Sequence, residues 1–141
     1  MNFQIPKEYE LIIPSELDRI QEVEDFTEKI ATKMNFSEEA KDSMAIAVTE
    51  VTNNAIIHGN KKDAGKKVVI HYHLSESAIT ITVRDEGAGF DPDKISNPLA
   101  PENLLKESGR GIFIIKALLD EVSFHFNKGG TLVKMVKKKL N

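Results

Sequence analysis

The sequence contains no cysteine, which excludes disulfide bonds, thiolate nucleophiles and thiolate zinc sites. It also has no apolar run close to the roughly 18 residues that a membrane-spanning helix needs, and its runs are short, such as Ile112–Ile115. The first residues are polar and charged, unlike the basic and then apolar start of a secretory signal. These absences predict a soluble, cytoplasmic protein that does not contact a membrane.

A strong excess of one charge is missing as well, because 22 acidic and 19 basic residues leave a net charge of -3. A duplex-binding protein normally has a basic face that neutralises phosphates, so we expect no direct binding to nucleic acid. Apolar residues make up 40% of the 141 residues, enough for the core of one domain of ordinary size. The composition therefore predicts a single folded domain and excludes a disordered chain.

The spacing of apolar residues predicts three helices and five strands. The strands are Tyr9–Ile13, Val68–Leu74, Ala78–Asp85, Val122–Phe126 and Thr131–Lys139, and the helices are Glu16–Met34, Glu38–His58 and Gly109–Asp120. Ser15 and Ser37 stand where capping side chains of the first two helices are expected. Consecutive hairpins with the helices grouped apart predict an α+β fold, a two-layer α/β sandwich with a mostly antiparallel mixed sheet and helices on one face.

The irregular segment Glu86–Ser108 separates the second hairpin strand from the third helix. It has little periodicity and several polar residues. Compact domains rarely contain so long an irregular segment unless it has a function. The sequence therefore predicts a lid or a binding loop here.

Three polar residues, Glu50, Asn54 and His58, follow one another at four-residue spacing along the second predicted helix. They lie between an apolar stripe and a second apolar flank, so they do not belong to a fully solvated face. Their presence there indicates a polar site next to the core. An ordinary alternative is that Glu50 and Asn54 are satisfied by local hydrogen bonds.

A second polar feature is the strand end at Asp85, which runs directly into Gly87 and Gly89. A carboxylate in this place can accept a hydrogen bond from an exocyclic amine, and glycines allow a flat ring to approach the backbone. An adenine base fits this description. The alternative is an ordinary Asp-Gly turn.

The third feature is the sequence Gly109-Arg110-Gly111 at the start of a predicted amphipathic helix. Free amide groups at a helix N-terminus bind phosphate, and Arg110 adds a charge-assisted contact. It is not the dinucleotide fingerprint, because no strand leads into it and Ile114 occupies the position of the third glycine. The chain also contains no Gly-Lys-Ser or Gly-Lys-Thr of a P-loop. Without the other two features, a phosphate site here is a weak prediction.

Together the three features resemble the GHKL ATPases. Glu50–Gly59 is similar to the N-box, Asp85–Phe90 to the first glycine box, and Gly109–Gly111 with the later Gly130-Thr131 to the second glycine box and final strand. Within this superfamily, two short motifs are most similar to those of the bacterial anti-sigma-factor serine/threonine-protein kinases. They are Ala-Ile-Ile-His-Gly at residues 55–59 and Leu-Leu-Asp-Glu-Val at residues 118–122. The resemblance implies a Bergerat-type ATP-binding fold, with residues 1–141 as a single histidine-kinase-like ATPase domain.

The resemblance also implies roles for individual residues, with ATP and Mg²⁺ as cofactors. Glu50 would be the catalytic base that removes the proton of the attacking serine hydroxyl. Asn54 would offer its amide oxygen to Mg²⁺, and Asp85 would bind the adenine amine with Thr131 nearby. Gly87 and Gly89 would shape the base pocket. The phosphates would be bound by Gly109, Arg110 and Gly111. The segment between Phe90 and Ser108 would be the lid that excludes water.

The partners that the resemblance implies are a sigma factor, held inactive by the kinase, and an anti-anti-sigma protein whose serine accepts the phosphate. A homodimer stays possible. One alternative is a nucleotide-gated protein-binding module that binds ATP without efficient phosphotransfer. Another is the catalytic domain of a sensor kinase, which is disfavoured because no helix with an acceptor histidine is present and the chain begins and ends like a finished domain.

Overall fold

The computed structural model describes residues 7–87, 111–127 and 129–139. These contain strands β1 (Lys7–Pro14), β2 (Lys67–Leu74), β3 (Ala78–Arg84), β4 (Glu121–Asn127) and β5 (Gly130–Lys138), and helices α1 (Ile20–Lys33), α2 (Glu38–Asn54) and α3 (Gly111–Leu118). The strands form one sheet in the order β1-β2-β3-β5-β4, and each pairing in this described sheet is antiparallel.

One face of the sheet forms the core with the helices. Alternate residues of β2, from Val68 to Leu74, are buried, as are Ile79, Ile81 and Val83 of β3. The residues between them on the other face are less buried, which is the period of two expected of a sheet that is covered on one side. The predicted α+β fold with helices on one face is confirmed.

The start of the first helix differs from the prediction. Ser15 does not cap it: a 3-10 turn at Leu17–Arg19 comes first, and α1 then begins at Ile20 with no side-chain cap. The reason is that the Ser15 hydroxyl donates to the carbonyl of Lys66 at 2.8 Å, next to β2. Leu17, in the 3-10 turn, is 42% exposed.

The second helix begins as predicted and ends differently. Ser37 is its N-cap, and its Oγ accepts the N–H of Ala40 at 3.1 Å. Regular α-helix stops at Asn54, and Ala55–Gly59 form a π-helical turn, closed by the Asn60 N–H donating to the Ala55 carbonyl at 2.8 Å. The predicted α-helix to His58 is therefore wrong at its end, and turns of this kind occur often at functional sites.

The third helix is shorter at its C-terminus than predicted. It ends at Leu118, because the N–H of Asp120 donates to the carbonyl of Val136 on β5 at 3.0 Å instead of continuing the helix. Ile115 and Leu119 are buried. The predicted lid and residues 109–110 lie outside the described residues.

The register of β3 and β5 decides what lies at the site. Arg84 pairs with Leu132, so the next residues outward, Asp85 and Thr131, are neighbours at the same end of the sheet. Their backbones are bonded, with the Asp85 N–H donating to the Thr131 carbonyl at 3.1 Å. Two residues far apart in sequence are thereby placed side by side.

Candidate functional site

A pocket lies between α2 and the end of the sheet that carries Asp85 and Thr131. The pocket is lined by Val51, Asn54, Ala55, Val83, Asp85, Phe124, Thr131 and Val133. Most of its wall is apolar, with three polar side chains, a composition that suits a flat heteroaromatic ring with few polar atoms.

Among the described residues of this wall, Asp85 is the only acidic one, and it is nearly buried, with 3% exposed. Its Oδ1 accepts the N–H of Gly87 at 3.0 Å and the N–H of Thr131 at 3.1 Å. Burial raises the pKa of Asp85, while these two backbone hydrogen bonds and the more distant Lys66 oppose the rise. Because a carboxylate offers about four acceptor positions, two bonds leave room for a ligand amine.

Two glycines pack against Asp85 and leave no space for larger residues. A Cβ atom on Gly59 would lie 2.2 Å from Asp85 Oδ2, and one on Gly87 would lie 2.3 Å from the carbonyl oxygen of Gly59. The end of the π turn and the end of β3 can approach this closely only because both residues lack a side chain.

The amide oxygen of Asn54 is buried and has no hydrogen-bond partner among the described residues. A buried polar atom without a partner is costly, so such an atom in a pocket indicates a ligand that completes it. An amide oxygen is a hard ligand of the kind that Mg²⁺ prefers. Asn54 therefore fits the metal role that the sequence predicts.

Thr131 has the same property. Its Oγ1 is buried without a hydrogen-bond partner in the part of the chain that the structure describes, and it lines the pocket beside Asp85. A hydroxyl can donate and accept, so it can bond to a ring nitrogen or to a water next to the base.

Glu50 is half-buried on α2, one turn before Asn54. Four residues of α-helix correspond to about 6 Å along the axis. Glu50 does not line the pocket of Asp85, so it lies to one side of this pocket. A base for phosphoryl transfer has to be away from the adenine, so this separation is consistent with the predicted role.

The remaining predicted site residues are only partly covered by the structure. Gly87 packs beside Asp85, and Gly111 is the first residue of α3. Gly89, Gly109 and Arg110 lie outside the described residues. No group of three or more His, Asp or Glu side chains in the described ranges is arranged to hold a metal ion, so a metal would depend on Asn54 and on oxygens of the ligand.

Sequence reasoning missed Asn60, which it assigned to a polar turn. Asn60 is fully buried and joins the end of α2 to three strand ends. The local signal in the sequence is an Asn directly after Gly59 at a helix end, which is a common helix stop. That pattern indicates a turn and not a buried network.

The model of the histidine kinase-like ATPase domain matches residues 13–137. The chain belongs to the histidine kinase-like ATPase domain family. The resemblance to this superfamily that the three sequence features indicate is thus confirmed.

Comparison with individual relatives gives a narrower enzyme class than the family does. Over 114 residues the chain is 32% identical to the serine-protein kinase RsbW of Oceanobacillus iheyensis, covering 77% of this chain and 72% of that protein. It is 34% identical over the same length to RsbW of Bacillus licheniformis, covering 77% and 71%. These names agree with the predicted enzyme class.

A solved structure supports the fold of the ATPase domain. The chain superposes on the RsbU and RsbW domains of a Mycobacterium tuberculosis protein with a TM-score of 0.69 at 13% identity, covering 96% of this chain and 33% of that one.

Among the described residues, no helix has both the length and the apolar character that crossing a membrane requires.

Proposed function

We propose that this ATPase domain is an ATP-dependent serine/threonine-protein kinase that also acts as an anti-sigma factor. Its phosphate acceptor is a serine of an anti-anti-sigma protein, and its second partner is a sigma factor. The observation that carries the proposal is that Asn54, Asp85 and Thr131, from three different elements, line one pocket. The kinship with RsbW serine-protein kinases supports the acceptor class.

The base end of the pocket selects adenine. The exocyclic amine donates to the Asp85 carboxylate, whose position is fixed by the N–H groups of Gly87 and Thr131. The hydroxyl of Thr131 contacts the same edge of the ring. Val51, Ala55, Val83 and Val133 provide the apolar walls on both sides of the ring.

The metal end of the pocket is formed by Asn54. When Mg²⁺ is bound, it neutralises charge on the phosphates of ATP. Asn54 would hold the ion through its buried Oδ1, together with oxygens of the phosphates and of water. Gly109, Arg110 and Gly111 bind the phosphates in this proposal, on the basis of their sequence pattern before α3.

Phosphoryl transfer uses Glu50 as the base. Glu50 accepts the proton of the serine hydroxyl as the serine oxygen forms a bond to the γ-phosphorus. The bond from this phosphorus to the bridging β–γ oxygen breaks, and ADP leaves. The role of water-excluding lid for the segment between Phe90 and Ser108 is an expectation from the sequence alone, because this segment lies outside the described residues. The proposal includes a cytoplasmic location, which the absence of cysteine supports. It also includes self-association into a homodimer.

The direct test is transfer of label from γ-labelled Mg-ATP to a purified anti-anti-sigma protein. We expect label on the wild-type acceptor and none on an acceptor whose serine is replaced by alanine. Glu50→Gln should bind ATP normally and lose at least about 100-fold in transfer rate, the lower range for removal of a general base.

Two results would contradict this proposal. Bound ATP without any transfer by the wild-type chain would favour the nucleotide-gated binding module. Normal transfer by Glu50→Gln would show that another group is the base.

A further inference from the structure

Asn60 is fully buried, and its side-chain amide bonds to three different parts of the fold. Its Nδ2 donates to Ser15 Oγ at 2.8 Å, after β1, and to the carbonyl of Lys67 at 3.0 Å, at the start of β2. Its Oδ1 accepts the N–H of Glu86 at 2.8 Å, after β3. Both donor hydrogens and the acceptor are in use, so the amide has one orientation.

Glu86 lies between Asp85 and Gly87, in the turn that closes on the carboxylate of Asp85. Besides the bond from its N–H to Asn60, its own carboxylate accepts the N–H of Lys67. Asn60, Lys67 and Glu86 therefore form a closed ring of hydrogen bonds. The turn that presents Asp85 is held by this ring on one side and by Thr131 on the other.

Asn60 is also fixed to the end of α2. Its backbone N–H donates to the carbonyl of Ala55 at 2.8 Å, and Ala55 and Asn54 line the pocket. One residue thus links the helix end that carries the metal-binding amide to the strand end that carries the base-binding carboxylate.

We infer that Asn60 is a positioning residue for base recognition, which acts through Glu86 on the place of the Asp85 carboxylate. This inference rests on the proposed nucleotide site. A recognition group has to be held within about 0.5 Å of its productive place, and polar neighbours with fixed orientations provide this. Asn60 therefore determines how well the site distinguishes a purine with an amine at position 6 from one with a carbonyl there.

The test is a calorimetric titration of the full chain with Mg-ADP and with Mg-IDP, whose bases differ in this amine. The wild type should bind ADP roughly 10-fold or more tightly than IDP, because IDP leaves Asp85 facing an oxygen. Asn60→Ala removes the acceptor of the Glu86 N–H, and the ratio of the two dissociation constants should fall to about 3 or less.

Tyr72→Phe is the matched control. The Tyr72 hydroxyl is in a buried hydrogen bond to Thr27 Oγ1 at 2.7 Å, in the core and not at the pocket. Its removal lowers stability through a lost buried hydrogen bond, as Asn60→Ala does, but the ratio of dissociation constants should equal that of the wild type.

Ser15→Ala keeps the test decisive if Asn60→Ala does not fold. It removes one partner of the Asn60 amide and leaves the bond to Glu86, so the ratio should fall by about twofold. A ratio equal to that of the wild type in every folded Asn60 and Ser15 variant would overturn the inference. A wild-type chain that binds neither ADP nor IDP would instead overturn the proposed function on which the inference rests.

Discussion

The surroundings of Asp85 both penalise and stabilise its charge. Asp85 has a carboxylate in a mostly apolar wall, which burial penalises, and two backbone N–H groups that partly compensate. A group that remains in such a place at a cost in stability is typical of a functional site.

The raised pKa of Asp85 gives the pH dependence of stability a definite sign. Below its ordinary value of 3.8 the group is protonated in the folded and in the unfolded chain. As the pH rises above 3.8, the unfolded chain loses its proton first, so the free energy of unfolding falls until the pH passes the folded pKa.

Asp85→Asn tests this sign, because an amide oxygen can still accept the N–H groups of Gly87 and Thr131 but does not titrate. Urea unfolding at a series of pH values gives the free energy of unfolding of both chains. The wild type should lose stability relative to Asp85→Asn as the pH rises from about 3 to 7. A difference that is constant, or that changes in favour of the wild type, would contradict the buried-carboxylate account.

At the scale of elements, the π turn and the end of β3 approach each other closely, and this packing encloses the Asp85 carboxylate. The sequence predicts α2, its Ser37 cap and its line of polar residues, because capping and periodicity are local properties. It does not predict the π turn or the change of partner of Ser15. The side chain of Asn60, directly after the π turn, bonds to Ser15, 45 positions away, and Ser15 bonds to Lys66, 51 positions away; no local pattern records such pairs.

Gly59→Ala tests the contact between these two elements. The added Cβ would lie 2.2 Å from Asp85 Oδ2, so the carboxylate or the turn has to move. We expect a loss of about 1–3 kcal/mol in the free energy of unfolding, which is typical of overpacking. The affinity for ADP should fall roughly 10-fold or more, since the displaced carboxylate no longer meets the amine.

Gly65→Ala is the matched control for this substitution. Gly65 is exposed in the turn after the helix, and the nearest atom to its added Cβ is Asp63 Oδ1 at 3.2 Å. ADP affinity should be unchanged in this variant. Wild-type affinity in Gly59→Ala would show that the close packing is not needed for binding.

At the scale of the whole molecule, the sheet order brings the parts of the site together. β3 and β5 are adjacent although α3 and β4 separate them in the sequence, and this places Thr131 next to Asp85 below α2. The consecutive hairpins are enough to predict the α+β class. The convergence of Asn54, Asp85 and Thr131 could be predicted only through the family resemblance, because the order of strands in a sheet depends on long-range pairing.

The most direct measurement is a calorimetric titration of the wild-type chain with Mg-ATP and with Mg-GTP. The account predicts one ATP bound per chain and an affinity for GTP that is roughly 10-fold or more lower, because guanine presents a carbonyl oxygen to the Asp85 carboxylate. Equal affinities for the two nucleotides, or no binding of either, would contradict the claim that α2, β3 and β5 together form an adenine nucleotide site.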